Sequence, residues 1–277
     1  MTKTLLIISG SNESAEVARR AREIGHIVVV SDSDPQAPAF AFADSCLIAD
    51  VHGAAETSAA AERYSRKIRK IDGVLCLADA ALTAATVADR LRLPGPPLHV
   101  AELVSDRLAI RRCFASAGIA TPWHAELFTP QELQRAMIAR GRDLVVKPVE
   151  NRGPDGVTRL AEVEDFTAAF QQTRLRSPSE RVMVEQWLEG PRVRLAALML
   201  NGVCHVAGSP EAAMADIAGR AASALGISDG PVMSEIVMHQ GVAHITEISA
   251  RLCGPAFLAA AIGLALGETV SPNDLKA

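Results

Sequence analysis

Short β-branched runs alternate with amphipathic stretches through the first ninety-odd residues, and this alternation limits the chain's possible folds more than any other feature. Thr4 to Ile8 leads into a stretch over 13–24, Ile27 to Val30 into a polar turn and a stretch over 58–70, and Gly73 to Leu77 into a stretch over 79–92. That βαβ rhythm predicts parallel strands covered by helices. It stops at Pro94-Gly95-Pro96-Pro97, a cluster that can neither continue a helix nor donate normally to a sheet. A domain boundary is expected there, dividing the chain into 1–97 and 98–277.

Beyond the boundary the pattern changes. Ser105 is expected to cap a helix running from Asp106 to Ala117, closed by Gly118, and Thr121-Pro122 forces extended chain. A helix over about 130–140, a strand from Leu144 to Lys147, a glycine-bearing loop and a returning strand from Val157 to Leu160 follow. Next come a strand from Arg181 to Gln186, a joint at Glu189-Gly190-Pro191, and strands Val193 to Leu200 and Val203 to Val206. Asn201-Gly202 between these last two is a strong hairpin signal. Ser209-Pro210-Glu211 reads as a helix start, and the last hairpin pairs Val232 to Met238 with Val242 to Ser249 around His239-Gln240-Gly241. The predicted fold class is therefore α/β and then α+β, with a parallel sheet first and antiparallel sheets after it.

Several function classes are disfavoured. A net charge of −4 offers no field for a polyanion, and one Tyr with two Trp leaves few platforms for stacking bases, so nucleic acid is not an expected partner. The five cysteines are far apart with no Cys-x-x-Cys pair, which suits reduced thiols in a cytosol, and the scattered histidines give no zinc pattern. The apolar runs Leu5 to Ile8 and Ala256 to Leu266 are too short for a signal peptide and a membrane helix respectively. A soluble, cytoplasmic chain with no membrane partner is expected.

Two groups of residues could carry chemistry. Glu235 and Glu247 are an even number of positions apart, so a three-residue loop at 239–241 with Gly241 left-handed would place both carboxylates on one face of the hairpin. They would be diagonal neighbours roughly 7 to 8 Å apart, able to converge on a hard cation. A two-residue loop would separate them onto opposite faces, and two solvated strand carboxylates is an equal alternative. Ser249 shares the face of Glu247, and Arg251 follows where a phosphate could meet its guanidinium. Lys147 ends an apolar strand before Pro148 and the loop Asn151-Arg152-Gly153-Pro154-Asp155-Gly156. Such a loop can offer N–H groups to phosphates beside a lysine charge, although a plain hairpin turn is the commoner meaning. No Gly-Lys-Ser/Thr occurs, so it is not a P-loop.

In order along the chain stand Asp106-Arg107, Val146-Lys147-Pro148 with its loop, Val184-Glu185-Gln186-Trp187-Leu188-Glu189-Gly190-Pro191, Glu235, and Glu247-Ile248-Ser249-Ala250-Arg251-Leu252-Cys253-Gly254. This ordered set, spanning about 99–267, resembles the ATP-grasp superfamily. The first part resembles the Rossmann-like domain that often precedes it. The resemblance implies a small lobe over about 120–186, a large lobe over about 187–277, and ATP and Mg2+ as cofactors. It further implies an enzyme that activates a small-molecule carboxylate as an acyl phosphate for attack by an amine. Lys147 would touch adenine and the α-phosphate, and Arg107 would be the earlier phosphate ligand. Glu185 with the backbone of Gln186 and Leu188 would recognise adenine, and the loop bearing Gly153 and Gly156 would close over the phosphates. Glu235 and Glu247 would hold magnesium, and Arg251 would lie near the γ-phosphate and the acyl phosphate.

The chain departs from the family pattern in three places. Ser249 stands where an asparagine usually ligates magnesium, Arg192 where many members carry a glutamate for the ribose, and the chain runs from Val206 almost directly to the helix at 210 and ends at 277 without the usual extension. A minimal or truncated member is expected, with a non-catalytic nucleotide-binding module as the alternative. Homodimerisation is left open.

Overall fold

The computed structural model describes residues 1–150, 155–252 and 254–276. The first segment builds β1 (Thr4–Ile8), α1 (Asn12–Glu23), β2 (Ile27–Asp32), β3 (Ser45–Ile48), α2 (Ala54–Lys67), β4 (Gly73–Cys76) and α3 (Ala81–Leu91). The strands form one parallel sheet in the order β3-β2-β1-β4. Successive residues of β1 point to opposite faces, so Leu5 and Ile7 pack on Val17, Ala18 and Ala21 of α1, while Leu6 and Ile8 pack on Ala61, Tyr64, Ala84 and Val87. Burial on both faces explains the unbroken apolar runs that announced these strands. β3 lies within what the sequence suggests is a polar turn. It is an edge strand with alternately exposed side chains, so it carries no continuous apolar signal.

The connection after Pro97 forms α4 (Leu98–Ser105), which was not foreseen, and α5 (Arg107–Ser116). The cap of α5 is Asp106 and not Ser105: the Asp106 carboxylate accepts from the Ala109 N–H at 2.7 Å, whereas the Ser105 hydroxyl donates back to the Ala101 carbonyl. β5 (His124–Leu127), α6 (Pro130–Arg140), β6 (Leu144–Pro148), β7 (Thr158–Arg159), α7 (Phe166–Leu175) and β8 (Val182–Gln186) make an antiparallel sheet, ordered β5-β8-β6-β7, with two helices on it. Its core is Leu127, Leu133, Leu144, Val146, Phe170, Val182 and Val184.

A third sheet, ordered β10-β9-β11-β12, contains β9 (Arg192–Leu200), β10 (Val203–Val206), β11 (Gly230–His239) and β12 (Val242–Ser249). Asn201 and Gly202, both at positive φ, make the foreseen two-residue turn between β9 and β10. α8 (Ala212–Ala224) follows β10, but it starts one residue after Glu211 with no side-chain cap, so the expected Ser209 cap is not used. α8 buries Met214, Ile217, Ala218 and Ala221 against this sheet, together with Val100, Val104, Ile110 and Phe114 of α4 and α5. α9 (Leu258–Ala265) turns back and covers the Leu5 and Ile7 face of the first sheet through Ala261, Ile262 and Leu266. Among the described residues no helix is long and apolar enough to cross a membrane.

Candidate functional site

The geometry of the site begins with a departure in the last hairpin. β11 and β12 are joined by two residues, Gln240 and Gly241, both at positive φ, and not by the three expected. Alone, this turn would place Glu235 and Glu247 on opposite faces. The register shifts between Glu235 and Ile236, however, because Thr246 is an extra residue in β12, and Glu235 then pairs directly with Glu247. A bulge of this kind re-aims every side chain on one side of it. The two carboxylates therefore share a face as direct partners, not diagonal ones. Thr246 is held through its hydroxyl and its carbonyl: the hydroxyl donates to Glu235 Oε1 at 2.8 Å and the carbonyl accepts from Arg111 at 2.5 Å.

Arg194 on β9 pairs with Glu235 on its other side, so Arg194, Glu235 and Glu247 form one row across three strands. Arg192, two residues back on the same strand face, reaches Glu235 Oε1 at 2.6 Å. The second sheet supplies the opposing wall. Lys147 at the end of β6 places Nζ 2.8 Å from Glu185 and 3.0 Å from Glu247, bridging the two sheets. Lys147 is 5% exposed and Glu185 2%. Burying them is tolerable only because each charge is matched: Arg111 holds the other oxygen of Glu185 at 2.9 Å. Arg107, the first residue of α5, donates to the carbonyls of Pro148 and Glu150 at 2.8 Å and to Glu247 at 3.3 Å.

These side chains line a cleft of about 310 Å³. Of the site residues expected from the sequence, Arg107, Lys147, Glu185, Gln186, Leu188, Glu235, Glu247 and Arg251 all border it. Gly156 is not among the lining residues; it packs beside Pro148 and Arg176 with its carbonyl accepting from Thr173, while Val157 lines the cleft. Gly153 lies outside the described residues. The Gln186 N–H donates to the Trp123 carbonyl and its side-chain amide to the Asp143 carbonyl.

Four lining residues were missed or discounted. Asp79, just beyond the end of β4, accepts from the Ser249 hydroxyl and lies 3.3 Å from Arg251 Nε. Its place at the C-terminal edge of a parallel sheet is where ligands bind in open α/β folds, the one signal that could have found it. Trp187 carries the guanidinium of Arg192 at 4.2 Å and that of Arg159 at 4.6 Å over its ring. Arg192 and Arg194 had no expected role in the cleft.

The cleft suits a polyanion carried with a cation. Lys147, Arg107, Arg192, Arg194 and Arg251 outnumber the lining carboxylates Asp79, Glu185, Glu235 and Glu247 by one, in a chain whose net charge is −4. Arg251 Nε is buried and donates no aligned hydrogen bond despite the nearby Asp79, so it keeps capacity for an anionic oxygen. Among the described residues no cluster of three or more His, Cys, Asp or Glu could hold a metal alone. Two carboxylates completed by ligand phosphates is the pattern magnesium favours, and Glu235 with Glu247 fits it.

Burial pushes the Glu247 carboxyl upward, but Arg107, Lys147 and Arg111 outweigh this and hold it down at about 2. Because its folded value lies below the ordinary 4.5, the charge stabilises the fold above that range, and the contribution disappears as pH falls towards 2. We expect about 3 kcal/mol to be lost across that interval. Denaturant melts of wild type and Glu247→Gln at stepped pH check this: the variant should show a shallower decline between the two values.

No family model matches the chain. D-alanine--D-alanine ligase of Methylococcus capsulatus is 30% identical over 125 residues, 45% of this chain and 39% of that protein. The matched stretch is thus about two fifths of that curated relative's length. The crystal structure of an L-amino acid ligase from Bacillus licheniformis superposes with a TM-score of 0.79 at 22% identity, covering 99% of this chain and 76% of that one. N5-carboxyaminoimidazole synthetase from Staphylococcus aureus complexed with ADP gives a TM-score of 0.75 at 16% identity, covering 98% and 79%. A parallel sheet followed by two antiparallel sheets gripping a cleft defines a two-lobed grasp architecture. In fold the chain is similar to these ligase and synthetase structures.

Proposed function

We propose that the chain binds ATP with Mg2+ in this cleft and joins a small-molecule carboxylate to an amine. The observation that carries the reading is the convergence on one cleft of Lys147 and Arg107 with the in-register pair Glu235 and Glu247. The superposed ADP complex has the same fold, and the relatives named above are ligases, two of them named for amino acids.

Glu235 and Glu247 would hold the magnesium, which when bound neutralises charge on the phosphates. Glu185, Gln186, Trp187 and Leu188 form the wall on which the base would rest. Lys147 and Arg107 would supply fixed positive charge to the phosphates, and Arg251 would meet the phosphoryl group at the end of the cleft nearest Asp79. In the first step a carboxylate oxygen attacks the γ-phosphorus, the bond to the β-phosphate oxygen breaks, and ADP leaves. In the second the amine nitrogen attacks the acyl carbon, inorganic phosphate departs with the C–O electron pair, and the nitrogen loses a proton. Since the carboxylate is a poor electrophile until phosphorylated, the cations serve the first step and exclusion of water the second.

Release of ADP and phosphate from mixtures of amino-acid carboxylates and amines tests the proposal. Stoichiometric ADP and phosphate that require both organic substrates are expected. Nucleotide binding without ADP release across a broad panel of such pairs would instead favour a non-catalytic nucleotide-binding module.

A further inference from the structure

The two carboxylates of the hairpin are neutralised in different ways. Glu247 takes its partners from outside its own sheet, Lys147 from β6 and Arg107 from α5. Glu235 takes its partners from the adjacent strand of its own sheet, Arg192 at 2.6 Å and Arg194 at 3.6 Å, with the Thr246 hydroxyl as well. A movement of the second sheet away from the third would remove Lys147 from Glu247 but leave Arg192 on Glu235. Arg192 is moreover fixed from behind, its guanidinium lying 4.2 Å over Trp187. The Glu235 side chain is 16% exposed, so the pairing is largely screened from water.

We propose that Arg192 is a positioning residue that occupies Glu235 and thereby makes divalent-metal binding depend on the nucleotide. A free metal ion entering the cleft must displace a guanidinium from Glu235 and leave it beside Arg194 without a carboxylate. When a nucleotide is present its phosphates offer Arg192 a replacement partner, and the carboxylate is released at little cost. Metal uptake is then ordered: the site takes the cation together with the polyphosphate and rejects it alone. This rests on the reading of Glu235 as a metal carboxylate given above.

Mn2+ binding followed by electron paramagnetic resonance, with and without ATP, tests it in wild type, Arg192→Gln, Glu235→Gln and the double variant, each first shown to melt cooperatively. In wild type we expect Mn2+ to bind with ATP and at least tenfold more weakly without it, after correction for Mn2+ held by free ATP. Arg192→Gln should gain at least tenfold in affinity for Mn2+ alone, and adding Glu235→Gln should remove the gain. If Arg192→Gln leaves the affinity for Mn2+ alone unchanged while Glu235→Gln abolishes Mn2+ binding with ATP, the role of Arg192 is refuted and that of Glu235 stands. If Glu235→Gln binds Mn2+ with ATP as wild type does, the metal role of Glu235 fails and the inference fails with it.

Discussion

Lys147→Ala is expected to lose most of the rise in melting temperature that nucleotide produces and to destabilise the ligand-free protein by about 3 kcal/mol. The stability loss follows from burial. Nζ lies 2.8 Å from Glu185 and 3.0 Å from Glu247, and removing it leaves carboxylates facing one another across the cleft. Breaking a buried pair costs roughly 3 to 5 kcal/mol. The lower end applies because Arg111 still holds Glu185 and Arg107 still holds Glu247. The loss of binding follows from charge: a charge-assisted contact contributes about 1.5 to 3 kcal/mol, so affinity for ATP should fall by roughly 10- to 100-fold. Denaturant melts and calorimetric titration with MgATP measure the two effects separately. Lys147→Met, which keeps most of the volume, should show the same weakening of affinity; unchanged affinity in that variant would mean that the lysine is purely structural.

Glu247→Gln carries the second large effect, on turnover. Its carboxylate is paired in register with Glu235 and is held by Lys147 and Arg107, so in the proposed site it would stand where a metal, two cations and the phosphates meet. An amide of the same shape keeps packing but donates where it should accept, and it cannot share a divalent cation's charge. ADP release should drop by about 10²- to 10³-fold, the size of a lost preorganised charge contact in an active site. Single-turnover assays at saturating MgATP and Mn2+ titrations check it. A variant that turns over at the wild-type rate would remove Glu247 from the metal site.

Much of this was legible in the residues. The parallel strands β1, β2 and β4 announced themselves because both their faces are buried, and Asn201-Gly202 fixed a turn through its backbone requirement alone. The ordered motif placed most of the lining residues before any contact was known. What stayed hidden depended on partners distant in sequence. β3 is a half-exposed edge strand whose pattern resembles a loop. The pairing of Glu235 with Glu247 depends on a bulge at Thr246 that no local residue preference marks; it is held by Arg111 from α5. The carboxylates came to one face by a different route from the one expected, through a two-residue turn corrected by one extra residue. Asp79 was readable as an ordinary strand-end acid, and only the return of the chain to Ser249 and Arg251 makes it part of the cleft. Arg192 stood out as a departure from a family pattern, but its pairing with Glu235 and its seat on Trp187 need the third sheet to be assembled.

The cleft between the second and third sheets is proposed as a magnesium-nucleotide site, and the decisive measurement is the thermal shift of the protein with MgATP or MgADP. A ligand that binds only the folded state raises the midpoint, by an amount set by its concentration over Kd. A clear rise is expected in wild type, a much smaller one in Lys147→Ala, and a response in Glu247→Gln that no longer depends on magnesium. A cooperative melt whose midpoint is unmoved by either magnesium nucleotide at millimolar concentration would contradict it.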